Sequence, residues 1–388
     1  MSGISRAILI FPIILFTITS CATKKSLQRE IQLPPSEVPP REKADSIEGR
    51  ERARICPAVF YTIAPWYSFK EAACSLTFDD GTLDQYVLAF PELEKRNLKA
   101  TFFLITRYRK RGYWYDGTTK RRLFSWDQAR QLREAGHEIG SHSRTHPDLT
   151  KERTLLRWEI GGSLSKLKRE IPCLDGVTFA WPYWRSNEEC QEIAAEYYLA
   201  ARGGTGLVDN YGPMPFNRVI NLFAVDSLCM RKGQYEEPWK AQSRRVYSNG
   251  GWIVLCFHGI DDWRIDREWL GWDPLTVYDF RKILDHLEEN RFWIAPFGSV
   301  MRYMRERSEA VLSIVTTRSD CIAIVLDDGL DDDIYHQPLS LKVELPYRWP
   351  NLRVSRYRVE IPHTRTKDGA ILFDILPDGS LIYIERIE

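Results

Sequence analysis

Net charge is nearly absent from this chain. Its 54 Lys and Arg are offset by 53 Asp and Glu, leaving +1, so bulk electrostatics give no reason to expect nucleic acid or an acidic polymer as a partner. There is no CxxC pair. The eight cysteines, at 21, 56, 74, 173, 190, 229, 256 and 321, are scattered, which argues against a zinc ribbon. Cys74 and Cys256 sit inside apolar, strand-like runs, where a free buried thiol is the plain expectation, and no disulfide is assigned. No repeat of fixed period and no low-complexity segment occurs, which sets solenoid and tract architectures aside. Long apolar runs are also missing: the run from Ala7 to Ile18 is too short for a comfortable membrane span.

That short run follows Arg6 and ends in Ile18-Thr19-Ser20-Cys21, the layout of a signal peptide. The small residues before the cysteine resemble a bacterial lipobox. The resemblance implies that Cys21 becomes the acylated N-terminus, with enough lipid for stable anchoring. Ala22 follows, not the aspartate associated with inner-membrane retention, so the outer membrane of a bacterial cell envelope is the expected location. Residues 22–51 are polar and proline-containing, as in a flexible tether.

From about residue 52 the pattern changes. Strand-like and helix-like segments alternate about seven times up to residue 305: "AACSLTF", "ATFFLI", "EIGSH", "GVTFAW", "LAARGG", "WIVLCF" and "FWIAPF" as strands with helical patterns between them. This predicts an α/β barrel or sheet with parallel strands. Ser125 is placed to cap one helix and Gly136 to end it. Residues 306–388 read instead as short strands separated by turns such as "KDG" and "PDGS", which predicts a small all-β, sandwich-like domain. The link "MRYMRERSEA" lacks a Pro/Gly-rich character, so close packing of the two parts is expected. "VLDDG" (325–329) reads as a turn, and His336 and His363 as surface residues.

Catalytic groups of such a parallel fold belong at the C-terminal ends of strands. Asp79 and Asp80, His142, Pro182 and Tyr183, and His258 all stand at predicted strand ends. His142 and His146 are four apart, which on a helical turn would put both imidazoles on one face. With Asp80 they make a two-His, one-carboxylate set with open positions, the arrangement of a catalytic metal site. Asp79 is then left over as a base. A cation beside them makes two adjacent carboxylates tolerable.

Thr77–Gly81 (TFDDG) and His142-Ser143-Arg144-Thr145-His146, about sixty residues apart, resemble the first two motifs of the polysaccharide deacetylases, carbohydrate esterase family four. The resemblance covers roughly residues 70–300. It implies a distorted (β/α) barrel, a divalent metal (zinc, with cobalt or nickel as alternatives), and removal of N- or O-acetyl groups from an acetylated glycan. It implies further that Asp79 is the base, that the Tyr183 backbone N–H helps hold the oxyanion, that His258 protonates the leaving group, and that Leu255 shapes the acetyl pocket. The third motif survives as Pro182-Tyr183, with Ala180 where many members carry an arginine that holds the base. Arg202 or Arg218 stands as its substitute, and Asp226 as the acid that orients His258. Trp114, Trp181 and Trp184 are candidates for stacking on sugar rings. The alternative is an inactive, deacetylase-like lipoprotein that only binds glycan, for which the missing arginine is the support.

Overall fold

Ala73–Phe78 and Trp252–Phe257 are buried at every position, the signature of strands covered on both faces. They lie side by side in parallel register at the centre of an eight-stranded sheet. We describe a computed structural model, which covers residues 59–117, 119–203, 221–232 and 237–388. Cys21, the tether and Arg218 lie outside the described residues. The sheet runs Ala201–Arg202, Phe179–Ala180, Glu138–Ser141, Thr101–Leu104, Ala73–Phe78, Trp252–Phe257, Leu228–Cys229. Trp293–Ile294 pairs with the first half of Ala73–Phe78 and Thr101–Leu104 with its second half. Every pairing in it is parallel. All strands therefore deliver their C-terminal ends to one rim, and the fold is the curled parallel barrel expected.

Alternation along the strands separates two faces. Cys74, Leu76, Phe78, Leu255 and Phe257 belong to the core that also holds Leu93, Leu132, Ile160 and Phe280 from the helices. The intervening residues face inward, and there the central strand carries Ala73, Ser75 and Thr77 before ending in Asp79. Thr77 Oγ1 donates to Leu255 O at 2.9 Å, and Ser75 Oγ accepts from Trp252 Nε1 at 3.1 Å.

Helix Trp126–Glu134 begins with a reciprocal capping box. Ser125 Oγ accepts from Gln128 N, and the Gln128 side chain accepts from Ser125 N. Gly136 follows with φ of 89°. Asn187 and Thr276 cap helices Glu188–Ala195 and Val277–Glu289 in the same side-chain-to-backbone way.

The C-terminal part forms two antiparallel sheets. One holds Val311–Thr317, Cys321–Asp327, Asp378–Ile387, Asn351–Arg356 and Val359–Glu360. The other is Phe60–Ile63, Leu339–Glu344, Ile371–Ile375 and His363–Arg365, so a strand preceding the barrel in sequence completes it. Of "VLDDG", read as a turn, Val325 to Asp327 are the end of the strand Cys321–Asp327 and only Asp328 and Gly329 leave it, with Gly329 N donating to Asp327 Oδ1 and Gly329 at φ 66°. His336 is exposed, as expected of a surface residue, and His363 is half-buried.

The segment read as a connector is a 13-residue helix, Phe297–Glu309. Its Phe297, Val300, Met301 and Tyr303 are buried in a core that joins barrel residues Ala73, Phe103 and Trp252 to sheet residues Leu339, Leu341 and Ile371. The apolar spacing at 297, 300, 301 and 304 is helical, so the signal was present within the stretch taken as a link.

Candidate active site

The chain turns sharply after Phe78. Asp80 has φ 70° and Gly81 φ 72°, both left-handed. Arg109 reaches over this turn, donating to Asp80 O at 2.8 Å, Gly81 O at 3.2 Å and Phe124 O at 2.8 Å. A Cβ on Gly81 would meet Arg109 Nη2 at 1.9 Å, so close approach and φ both demand glycine there. Gln85 Nε2 donates to Asp79 O (2.5 Å) and His258 O (2.6 Å), joining the ends of two central strands. Asp84 accepts from Ile260 N (2.6 Å) and Gly271 N (3.2 Å), fixing the loop beyond His258.

His142 and His146 do not share a helical face. They flank a loop in which Ser143 (φ 60°) and His146 (φ 67°) are left-handed. Glu159 Oε2 accepts from Arg144 N (2.9 Å) and Thr145 N (2.8 Å), and Ser143 Oγ accepts from His146 N (2.9 Å). These bonds bring the two rings to 4.7 Å by a route the four-residue spacing does not reveal.

His142 Nε2 lies 3.7 Å from Asp80 Oδ1, and His146 Nε2 lies 3.6 Å from the same oxygen. The ligand atoms of Asp80, His142 and His146 fall within 4.8 Å of one another. Tetrahedral bonds of about 2.0–2.1 Å would set such atoms roughly 3.4 Å apart. His142 Nδ1 sits 2.8 Å from Ala180 O, so Nδ1–H donates to that carbonyl and Nε2 presents its lone pair. Asp80 Oδ1 and His146 Nδ1, both buried, have no hydrogen-bond partner among the described residues. Burial pushes the Asp80 carboxyl up, and burial followed by His142 pushes His146 well below the ordinary imidazole value. A neutral imidazole and a carboxylate short of a cation are what a metal requires, and the three residues fit one.

Asp79 is differently placed. Its Oδ2 accepts from Arg202 Nη2 at 2.5 Å, and Cys256 Sγ lies 3.5 Å from it. Arg202 is fully buried, with Nη1 donating to Ser227 Oγ at 2.9 Å. Arg202 is paired with Ala180 in strand register, so the guanidinium missing from position 180 comes from the adjacent strand. Burial would raise the Asp79 carboxyl, but Arg202, then His142 and His258, bring it down to about 2. A set of Asp79, Cys256 and His258 could also be grouped as ligands. The guanidinium already on Asp79 makes a second cation there unfavourable.

His258 Nε2 is 3.7 Å from Asp79 Oδ2. The group at its other nitrogen is Cys229, whose Sγ lies 3.9 Å from Nδ1, where Asp226 was expected. Asp226 is half-buried three residues earlier. Leu255 faces the helices and not the site, because strand alternation turns Cys256 inward in its place. Trp181 is fully buried, with Nε1 donating to Phe223 O at 2.8 Å, so it packs in the core. Pro182 is buried at the start of the turn that sets Tyr183 (φ 57°), whose ring lies 4.7 Å from His146.

These groups border a cleft of about 640 Å³ walled by Trp114, Asp116, Arg121, Tyr183, Trp184 and Trp272. Trp184 and Trp272 lie 5.3 and 5.2 Å from the His258 ring. One wall is a hairpin, Tyr113–Asp116 with Thr119–Arg122, which is not among the expected elements although Asp116-Gly117 is a turn signal. Arg121 ties it down, pairing with Asp116 and donating to Leu270 O (2.8 Å) and Gly271 O (2.9 Å).

Residues 67–201 match the family model for polysaccharide deacetylase. Over that stretch the chain is similar to the polysaccharide deacetylases. The match stops one residue short of Arg202 and does not reach Cys229 or His258. The chain is 28% identical over 357 residues to a gellan lyase of Bacillus sp, covering 83% of this chain and 13% of that protein. It is 31% identical over 122 residues to the peptidoglycan-N-acetylglucosamine deacetylase PgdA of Listeria monocytogenes, covering 30% of this chain and 23% of the relative. The chain thus spans under a quarter of the length of either relative. Among solved structures, the Streptococcus pyogenes deacetylase PplD in complex with acetate matches with 25% identity and a TM-score of 0.33, covering 40% of this chain and 62% of that one.

Proposed function

We propose that this protein hydrolyses acetyl groups from an acetylated polysaccharide or oligosaccharide, with a divalent metal, zinc in the first instance, held by Asp80, His142 and His146. The observation that carries this reading is the buried Asp79–Arg202 pair (2.5 Å) beside that ligand set. It provides an ionised base whose Oδ1 has no partner among the described residues. When bound, the cation supplies Lewis acidity toward the acetyl carbonyl and lowers the pKa of water. Asp79 Oδ1 takes the proton of the attacking water, while Arg202 keeps the carboxylate oriented. The Tyr183 backbone N–H donates to the developing oxyanion. His258 gives the proton on Nε2 to the departing nitrogen or oxygen, so that water is split between acetate and the free sugar amine or hydroxyl. Trp114, Trp184 and Trp272 offer aromatic faces to sugar rings.

A glycan-binding protein without activity drew its support from the missing arginine. Arg202 on Asp79 removes that support. The reading extends to Cys21 as a lipidated N-terminus and to a cell-envelope, outer-membrane location. Persistent fatty-acid labelling of Cys21→Ser would count against that part.

The test of the central reading is acetate release across a panel of N- and O-acetylated glycans, with metal analysis of the same samples. Wild type should release acetate and contain about one divalent ion. Asp79→Asn should retain the metal and lose ~10²–10⁴-fold in rate. His142→Ala should lose both. Full activity in Asp79→Asn, or equal metal in wild type and His142→Ala, overturns it.

A further inference from the structure

Two thiols on adjacent strands each touch one of the two proton-moving groups. Leu228–Cys229 runs beside Trp252–Phe257 with Cys229 in register with Cys256. Cys256 Sγ lies 3.5 Å from Asp79 Oδ2, and Cys229 Sγ lies 3.9 Å from His258 Nδ1. The opposite ring nitrogen, Nε2, lies 3.7 Å from Asp79 Oδ2. An imidazole that must deliver a proton from one nitrogen is oriented by whatever holds the other. Here that group is a sulfur. Rings of Trp184 and Trp272 stand edge-on to the imidazole at 5.3 and 5.2 Å, so its plane is bounded while its tilt within the cleft is left to the contact at Nδ1.

We propose that Cys229 is the positioning residue for His258: its sulfur accepts the Nδ1 proton and aims Nε2 into the cleft. The proposal rests on the hydrolase reading above. When Nε2 gives up its proton to the leaving group, the ring is left neutral, with its Nδ1 proton still directed at the sulfur. No electron is transferred and no oxidant is needed.

The electrostatic surroundings favour a thiolate and an imidazolium. The Cys256 thiol first, then His258 and Arg231, hold the Cys229 thiol well below its ordinary range against the opposing effect of burial. Burial would lower His258, but Cys229 and then Asp79 outweigh it and raise the ring. Among the described residues, the charged and titratable groups around the pair include Asp79 and Asp80 at the end of the central strand, His146 beside Asp80, Cys256 on the neighbouring strand, Arg202 beyond Asp79, and Arg231 beside Cys229. Arg231 Nε is 3.7 Å from Asp273 Oδ2, and its guanidinium lies 4.9 Å from the Trp272 ring. The sulfur therefore sits between two cationic groups, which lowers the cost of holding a negative charge.

The test uses the full, metal-loaded chain with ¹³C-labelled histidine, the His258 resonance being assigned through His258→Gln. The ring is titrated in wild type, Cys229→Ala, Cys229→Ser and Cys229→Asp, and kcat, KM and metal content are measured alongside. In Cys229→Ala and Cys229→Ser the His258 pKa should fall by about one unit or more. Their kcat should fall ~10–100-fold with KM nearly unchanged, and the basic limb of the pH profile should move to lower pH. Cys229→Asp, a poorer fit to the space than alanine but an anion, should restore the titration and much of kcat. Metal content should be equal in all four. An unchanged His258 titration in Cys229→Ala overturns the proposal, as does equal loss of kcat in the Ala and Asp variants. A wild type that releases no acetate from any substrate sinks the hydrolase reading instead, and the ring titration still decides the role of Cys229.

Discussion

Asp79 and Arg202 are both buried, and neither charge would persist without the other. Arg202 lies against the Phe103 ring at 5.4 Å, on the inner, apolar side of the barrel, so its guanidinium has little to bind except Asp79 and Ser227. Removing it leaves a carboxylate in that interior. Arg202→Ala should therefore destabilise the metal-free protein by about 3–5 kcal/mol, and urea denaturation of the two proteins checks this. Arg202→Lys should recover part of the stability but little of the turnover, since an ammonium cannot hold Asp79 and Ser227 through one rigid fork. A lysine variant with wild-type kcat would show that charge alone suffices. At this scale, the sequence displayed the residues carried by contiguous motifs. Asp79, Asp80, His142 and His146 follow from two short stretches. Arg202 could be nominated but not chosen over Arg218, because the choice depends on strand order. Cys229 was invisible: it reaches His258 across 29 residues through a parallel register that no local pattern records. Leu255 failed because the cleft-facing parity of its strand is set by which face the helices cover.

Between elements, Glu92 does for the helices what Arg202 does for the site. It lies on helix Phe90–Lys95 and takes a two-pronged contact from Arg281 on helix Val277–Glu289, at 2.8 and 2.9 Å. Lys95 adds a contact at 2.7 Å. The Arg281 hydrogen bonds are the main cause that brings the Glu92 carboxyl down to about 2, against burial and with help from Lys95. A carboxyl with a depressed folded-state pKa stabilises the fold above its unfolded value, near 4.5, and that contribution is lost as pH falls toward 2. Glu92→Gln should then be less stable than wild type at neutral pH, with the gap narrowing through this window and closing near its lower end. Urea midpoints measured from neutral to strongly acidic pH give the comparison, and a gap independent of pH would assign the loss to packing. Helices of this kind were readable from apolar spacing and caps, as at Ser125. The helix Phe297–Glu309 carries the same apolar spacing, but the charged residues outside its buried face, Arg302, Arg305 and Glu309 among them, make the stretch read as a polar link.

At the scale of the whole molecule, the C-terminal sheets and the barrel share a core. Trp66, Trp293 and Phe297 pack in one cluster with Leu341, Val343 and Phe373. Tyr303 on the intervening helix donates to Ala64 O at 2.9 Å. Glu306 Oε1 on that helix accepts from Gln337 N at 2.8 Å. The strand Phe60–Ile63 pairs with Leu339–Glu344 along four residues, so the chain leading into the barrel is an edge of a C-terminal sheet. A protein ending near Ser308 would expose that cluster to water and leave Phe60–Ile63 without its neighbour, an unpaired strand edge of the kind that promotes aggregation. If the sheets are a structural cover, the shortened protein should aggregate or melt well below the full chain, whatever the substrate. If they are an independent glycan-binding module, it should stay soluble, keep its activity on short acetylated oligosaccharides and lose it on polymer. The shared core favours the first outcome. Thermal unfolding with light scattering, run on both lengths of chain, separates the two, and a soluble truncation with an unchanged midpoint would reverse the assignment.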